Sequence, residues 1–204
     1  NKLYYDLNRG KGILDDDDHL NMYLHSFGQM HKAKLDMAFN SMSGADVFGE
    51  EVEVFDWGCG QGTATICLLD FLKEKHLTPN IKQIYLVEPS SAATKRASDV
   101  IKCYNPSYSV STITKDFDSL EASDFKRTNT RKVHLFSNIL DVEAFDLAKF
   151  IHLFQQVFGS DNYFICVGPY YSNNRRVDEF VAATAPDVMY ATLNKERGTW
   201  QGEW

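Results

Sequence analysis

The stretch Val54-Phe55-Asp56-Trp57-Gly58-Cys59-Gly60-Gln61-Gly62-Thr63 constrains this chain more than any other. A short apolar run ends in an acid, three glycines follow at alternate positions, and an apolar segment of helical length, Ala64 to Lys75, comes next. That order reads as strand, tight loop and helix. Glycines so spaced let the backbone turn sharply and approach a ligand with no Cβ in the way. The first strand-to-helix turn of an open α/β sheet is also where cofactors bind.

The kind of ligand follows from the details. A dinucleotide loop wants G-x-G-x-x-G with a pyrophosphate on the helix N-terminus. Here the sixth position is Thr63 and the glycines run G-x-G-x-G. Asp56 at the strand end would repel a pyrophosphate but suits a ligand carrying positive charge. This acid followed by G-x-G-x-G resembles motif I of the class I S-adenosylmethionine-dependent methyltransferases, whose cofactor carries a sulfonium and an ammonium and no phosphate. The resemblance implies that Asp56, Gly58, Cys59, Gly60 and Gly62 shape the cofactor loop.

Downstream the chain alternates strand and helix. Ile81–Val87 reads as a second strand, ending in Glu88-Pro89. A carboxylate at that tip has two oxygens for the two ribose hydroxyls. Tyr108–Thr114 is rich in β-branched residues and reads as the third strand. The resemblance places Asp116 on the adenine amino group and Phe117 against the ring. Val133–Ser137 is the fourth strand, and Asn138-Ile139-Leu140-Asp141 stands where the family has motif IV, which puts Asn138 near the transferred methyl as cofactor contact and catalytic candidate. The Asp/Asn-Pro-Pro-Tyr/Phe form of amino-methylating DNA enzymes is absent here, as is the Cys nucleophile pattern of carbon-5 pyrimidine methylation. Asp141 reads as the N-cap of the helix that follows. Tyr163–Val167 is a fifth strand, with Tyr170 and Tyr171 just beyond it as acceptor contacts. Val188–Leu193 and Thr199–Trp204 resemble the antiparallel closing pair of a seven-stranded methyltransferase sheet, with the last strand cut short at Trp204.

The expected fold is therefore α/β: a doubly wound, mostly parallel sheet in a three-layer αβα arrangement over residues 47–204, with an N-terminal helical extension over residues 1–46. In the extension, Asp17 or Asp18 reads as the cap of a helix over His19–Phe27, and Gly28 as the break before a second helix, Gln29–Ser43. The resemblance makes these helices a lid, with Tyr23 and His31, and also His25 and Gln29, near the acceptor pocket. His19, His25, His31, Tyr170 and Tyr171 are the candidates for a general base.

Composition narrows the function. The formal net charge of −7 disfavours binding to nucleic acid. The cysteines, Cys59, Cys67, Cys103 and Cys166, form no C-x-x-C pair and match no metal-ligand spacing, so neither a metal site nor a disulfide framework is expected. They read as reduced thiols of a cytoplasmic protein. No run is apolar for long enough to span a membrane. The resemblance thus implies a methyltransferase that takes S-adenosylmethionine, releases S-adenosylhomocysteine and acts on a small molecule or protein. The alternative is a non-catalytic cofactor-binding or scaffolding module of a larger protein.

Overall fold

The computed structural model describes residues 2–8, 12–42, 45–159, 161–169 and 175–184. Strands β1 (Glu51–Trp57), β2 (Asn80–Val87), β3 (Val110–Ile113), β4 (Arg131–Ser137) and β5 (Asn162–Val167) form one sheet in the order β3-β2-β1-β4-β5. Every pairing is parallel, with Asp56 opposite Leu86 on one side and Leu135 on the other. Parallel neighbours need crossovers, and helices supply them. The chain winds outward from β1 through β2 to β3, then returns to β4 and winds the other way. The reversal puts a crevice at the carboxyl ends of β1 and β4.

Alternation along each strand separates two cores. Val52 and Val54 of β1 and Val133 and Leu135 of β4 face helices α3 (Gln29–Asn40), α4 (Thr63–Glu74) and α5 (Ser91–Tyr104). Phe55, Trp57 and Phe136 face the other way, into an aromatic layer closed by α6 (Leu147–Val157) and α7 (Arg175–Thr184). This is the expected three-layer architecture with helices at the N-terminus. The closing pair expected over residues 188–204 lies outside the described residues.

Three local expectations are corrected. The helix α2 (Asp17–Tyr23), which follows a short α1 (Lys2–Asp6), is capped by Asp16, whose carboxylate accepts from His19 N at 2.9 Å; Asp17 and Asp18 lie in its first turn. Gly28 does not break the helix. Its backbone is right-handed helical, and Leu24–Gly28 form a π turn that runs directly into α3. A glycine lowers helix stability by only about 1 kcal/mol, which burial elsewhere outweighs. Here Leu35 and Phe39 of α3 are buried in the same core as Leu68 and Leu72 of α4. Finally, α6 is capped by Asp146 rather than Asp141. Residues 141–146 instead form a turn in which Phe145 is buried, as is Leu140 just before it, with Arg176 donating to the carbonyls of both.

Candidate functional site

The loop after β1 is held by its own backbone. Cys59 N donates to Val87 O at 3.0 Å, extending the β1–β2 pairing by one bond, and Gly62 N donates to Cys59 O at 2.7 Å, closing a tight turn. Gly62 has φ 78° and precedes α4; a Cβ there would lie 2.9 Å from Ala97 Cβ, so the glycine permits loop and α5 to touch. Gly60, at φ 50°, has no described residue within 4 Å of where its Cβ would be. Its surface is the open one, left for a ligand to approach.

Two carboxylates organise this loop. Asp56 is 1% exposed. Its Oδ2 accepts from Thr65 N at 3.1 Å and Thr65 Oγ1 at 2.7 Å, so it satisfies a free amide in the first turn of α4. Among the described residues its Oδ1, though buried, has no hydrogen-bond partner. Burial pushes the Asp56 pKa up to about 7, against the Thr65 hydrogen bonds and with some help from the Glu88 charge. Glu88 is half-buried, and its Oε2 accepts from Gly60 N at 3.1 Å while Oε1 accepts from Ser90 N at 3.2 Å. Burial raises its pKa too, opposed by those two amides. Glu88 therefore ties the β2 tip to the middle glycine of the loop.

Beside these groups lies a small cleft of about 30 Å³ to which Asp56, Gly58, Cys59, Gly60, Gln61 and Ser137 contribute, with Tyr23 and His31 of the N-terminal helices as its roof. Tyr23 Oη and His31 Nδ1 lie 3.4 Å apart. The wider π turn between them rotates the helix so that both reach this face. Both stay neutral near pH 7: burial and the Glu88 charge raise Tyr23 to about 12, and burial with the Lys34 charge lowers His31 to about 4. The roof is fastened at its start. Gln61 Nε2 donates to Leu20 O at 2.8 Å, and Arg96 of α5 donates to Gln61, Asn21 and Asp17 together.

The structure thus gathers Asp56, Gly58, Cys59, Gly60, Tyr23 and His31 at one cleft, with Gly62 turning the loop into α4 and Glu88 joined through Gly60. Asn138 stands beside Ser137 at the β4 tip, with φ 56°. Its Oδ1 accepts from Lys34 Nζ at 2.7 Å and its Nδ2 donates to Ser137 Oγ at 3.1 Å. Pro89 lies between Glu88 and Ser90, and Ser90 caps α5. Asp116 is exposed and accepts from Ser119 N at 2.8 Å, capping a short turn after β3. Phe117 is buried in the aromatic layer, stacked on Phe145 at 4.6 Å, rather than lining the cleft. His19 lies 2.9 Å from the Asp16 carboxylate at the start of α2. Tyr170 and Tyr171 lie outside the described residues. Sequence reasoning missed Thr65, Gln61 and Lys34; the signal for Lys34 is its place one helical turn after His31. Among the described residues no three His, Cys, Asp or Glu side chains group as a metal site, and no helix is long and apolar enough to cross a membrane.

No family model matches this chain, and no curated protein matches it. Solved structures do. A Methanococcus maripaludis structure, described as that of an S-adenosyl-L-methionine-dependent methyltransferase, aligns with TM-score 0.53 at 15% identity, over 84% of this chain and 73% of its own. A complex between the Haloferax volcanii Trm112 methyltransferase activator and a methyltransferase aligns with TM-score 0.50 at 18% identity, over 82% and 67%. A Leishmania major S-adenosylmethionine-dependent methyltransferase aligns at 19% identity and TM-score 0.45, over 70% of this chain and 53% of that one. The chain thus spans between about half and three quarters of the length of these three structures. The first two likenesses show that the fold is that of the class I methyltransferases.

Proposed function

We propose that this chain is an S-adenosylmethionine-dependent methyltransferase acting on a small molecule or a protein rather than on DNA. One observation carries the reading: Asp56 Oδ1, buried and without a partner, sits beside an open glycine loop at the crevice between β1 and β4. A buried carboxylate left short of donors is costly. A ligand bringing positive charge relieves that cost, whereas a pyrophosphate would add to it. When bound, the cofactor would supply an electrophilic methyl on sulfur. The chain's own part is to hold the cofactor and acceptor in line and keep water away.

In this reading Asp56 faces the positively charged part of the cofactor and Gly60 leaves room for it. Glu88 and Pro89 border the ribose, Asp116 the adenine edge, and Asn138 the methyl. Phe117 serves as the buried prop behind Asp116. Tyr23 and His31 cover the cleft from water and, with Tyr170 and Tyr171, border the acceptor. The segment preceding α3 is the lid, because α3 itself is part of the core. A cytoplasmic location fits four cysteines that are all free thiols.

The test is calorimetric titration of S-adenosylhomocysteine into wild type and Glu88→Ala. A carboxylate accepting from both ribose hydroxyls makes charge-assisted bonds, and partial replacement by water leaves an expected loss of about 2–3 kcal/mol, thirtyfold to over a hundredfold in Kd. Asp118→Ala serves as the control and should bind as wild type does. Equal affinity for wild type and Glu88→Ala would take this residue out of the site. Binding of NAD in place of S-adenosylhomocysteine would overturn the reading altogether.

A further inference from the structure

A second cavity lies between the roof-bearing helices and α4. It holds about 320 Å³, bounded by the Leu24–Gly28 turn and the start of α3 on one wall and by the first two turns of α4 on the other. That is near the lower end of the range, about 300–1,000 Å³, in which small molecules bind. The cavity is separate from the glycine-loop cleft. Along one helical run Tyr23 and His31 line the cleft, whereas Leu24, Gly28 and Lys32 line this cavity, and Thr63 lines both. Its inner wall is apolar. Ile66 packs on the core, and Cys67 is 3% exposed, its thiol kept protonated because burial and the Asp36 charge push its pKa up to about 12. Leu24 contributes an apolar side chain that is 40% exposed.

Gly28 keeps this cavity open. Its φ of −57° and ψ of −47° are right-handed helical, so no special backbone conformation calls for glycine. A Cβ there would meet Leu24 Cδ2 at 3.5 Å and Leu24 Cβ at 3.9 Å, which is ordinary contact, so packing among the described residues does not call for glycine either. Glycine is also the poorest helix former after proline. Its effect at this position is to leave unfilled the space that a side chain would take. The charges here set the sign of a ligand. Lys32 Nζ is bonded to Asp36 Oδ2 at 2.6 Å. Asp70, on the α4 wall, accepts from a neutral donor, Tyr104 Oη, at 2.7 Å, and its charge is felt by the same Lys32 without a bond. Two carboxylates thus share one ammonium, and the cavity carries a net negative charge with an Asp70 oxygen still able to accept.

We propose that this cavity is a second binding site, for a small organic ammonium: a primary amine on a ring or a short branched chain. The apolar body lies against Leu24, Ile66 and Cys67 in the space that Gly28 leaves, and the ammonium donates to the Asp70 oxygen that Tyr104 does not use. A neutral alcohol of the same shape forgoes the charge-assisted bond, and an anion is repelled by Asp70 and Asp36. The site stands whether or not the glycine loop takes S-adenosylmethionine, since it shares with the cleft only the wall at Thr63.

The test titrates three probes of similar shape, phenethylammonium, phenethyl alcohol and hydrocinnamate, into the full chain and follows backbone amide shifts by nuclear magnetic resonance. Phenethylammonium should shift Gly28, Gln29, Thr63, Ile66 and Asp70 saturably. The alcohol should shift the same amides but bind at least about fivefold more weakly, as expected for losing one charge-assisted contact, and hydrocinnamate should not bind. Gly28→Leu places a side chain in the cavity at a position whose backbone suits it and should abolish binding of the amine. Asp70→Asn keeps an acceptor for Tyr104 and should weaken the amine to the level of the alcohol while leaving the alcohol unchanged. Hydrocinnamate binding as tightly as the amine overturns the site, as do shifts that do not saturate. Shifts centred on Gly58–Gly62 would assign the amine to the cleft instead, and amine binding that survives in folded Gly28→Leu would place it elsewhere; both overturn the proposal. Should Gly28→Leu fail to fold, Asp70→Asn decides alone: amine affinity equal to that of wild type overturns the site, and the selective loss supports it.

Discussion

Asp56 has two duties that pull its charge in opposite directions. One oxygen accepts from Thr65 and holds the start of α4; the other waits for a donor in a site that excludes water. Burial raises the pKa to about 7, so near neutral pH the free protein holds this group partly protonated. A cationic ligand requires the ionised form. Affinity for S-adenosylmethionine should therefore rise as pH increases from about 5.5 to 7.5 and then level off, by roughly tenfold per unit on the acid side. In Asp56→Asn the affinity should fall and this slope should vanish, which calorimetric titration across the range will show. A slope that survives in Asp56→Asn would assign the titration to another group. The position of Asp56 beside the glycine loop was legible in the sequence because an acid before alternating glycines is a local pattern. The second use of Glu88 was not. Read from the sequence it is a surface acid with little structural work; in the structure its two oxygens accept from Gly60 and Ser90 amides. That depends on a neighbouring strand bringing residues 28 positions apart together.

At the scale of elements, the five described strands were all legible: β1, β2, β4 and β5 as short apolar runs that end in a turn, β3 by its β-branched residues. Several start a residue or two early, where backbone pairing, which sequence does not display, continues past the apolar core, whereas β3 is shorter than expected, Val110–Ile113 instead of Tyr108–Thr114. The N-terminal helices were legible as helices but not as one run, because Gly28 looks like a stop and a π turn has no composition of its own. The cap of α6 was missed for a tertiary reason: Arg176 braces the turn before it from another helix, also stacking on Phe145. Fastening of the roof follows similar tertiary logic. Arg96 joins α5 to Asp17 and Asn21 of α2 and to Gln61 of the loop. Arg96→Ala removes all three contacts, one of which is part-buried. Amide exchange over residues 17–28 should then speed up by about tenfold, as for a local opening made roughly 1.4 kcal/mol easier, while the strands keep their protection. Exchange that is unchanged over residues 17–28 would show that Leu20 and the Leu24–Gly28 turn hold the roof without Arg96.

For the molecule as a whole, stability against pH is governed by buried groups that oppose one another. His134 is wholly buried in the aromatic layer, against Phe55, Phe154 and Phe158. Trp57 Nε1 has only a proton to give and lies 3.1 Å from His134 Nδ1, so Nδ1 accepts and Nε2 carries the hydrogen toward Asn162 Oδ1, also at 3.1 Å. Burial lowers its pKa to about 3, from 6.5 in an open chain. The unfolded state therefore binds the proton first, and this group makes stability rise with pH from about 3 to 6.5, fully present above 6.5. His31, lowered to about 4, acts in the same direction. Asp56 acts in the opposite one: its pKa is raised from 3.8 to about 7, so its contribution is present below 3.8 and is lost as pH rises through 7. Between about pH 4 and 6.5 the His134 and Asp56 slopes cancel. Each single variant should expose the other's slope. Relative to wild type, Asp56→Asn should gain stability as pH rises from 4 toward 7. His134→Phe should lose about 1–3 kcal/mol at pH 7, where it strands the Trp57 N–H, and about 2 kcal/mol less at pH 5, where wild type has already lost the His134 contribution. Denaturant unfolding of the three proteins at pH 5, 6 and 7 measures these differences directly. Parallel pH profiles for wild type and His134→Phe would mean that His134 titrates alike in the folded and unfolded chains, and that the buried Trp57–His134–Asn162 chain does not hold it neutral.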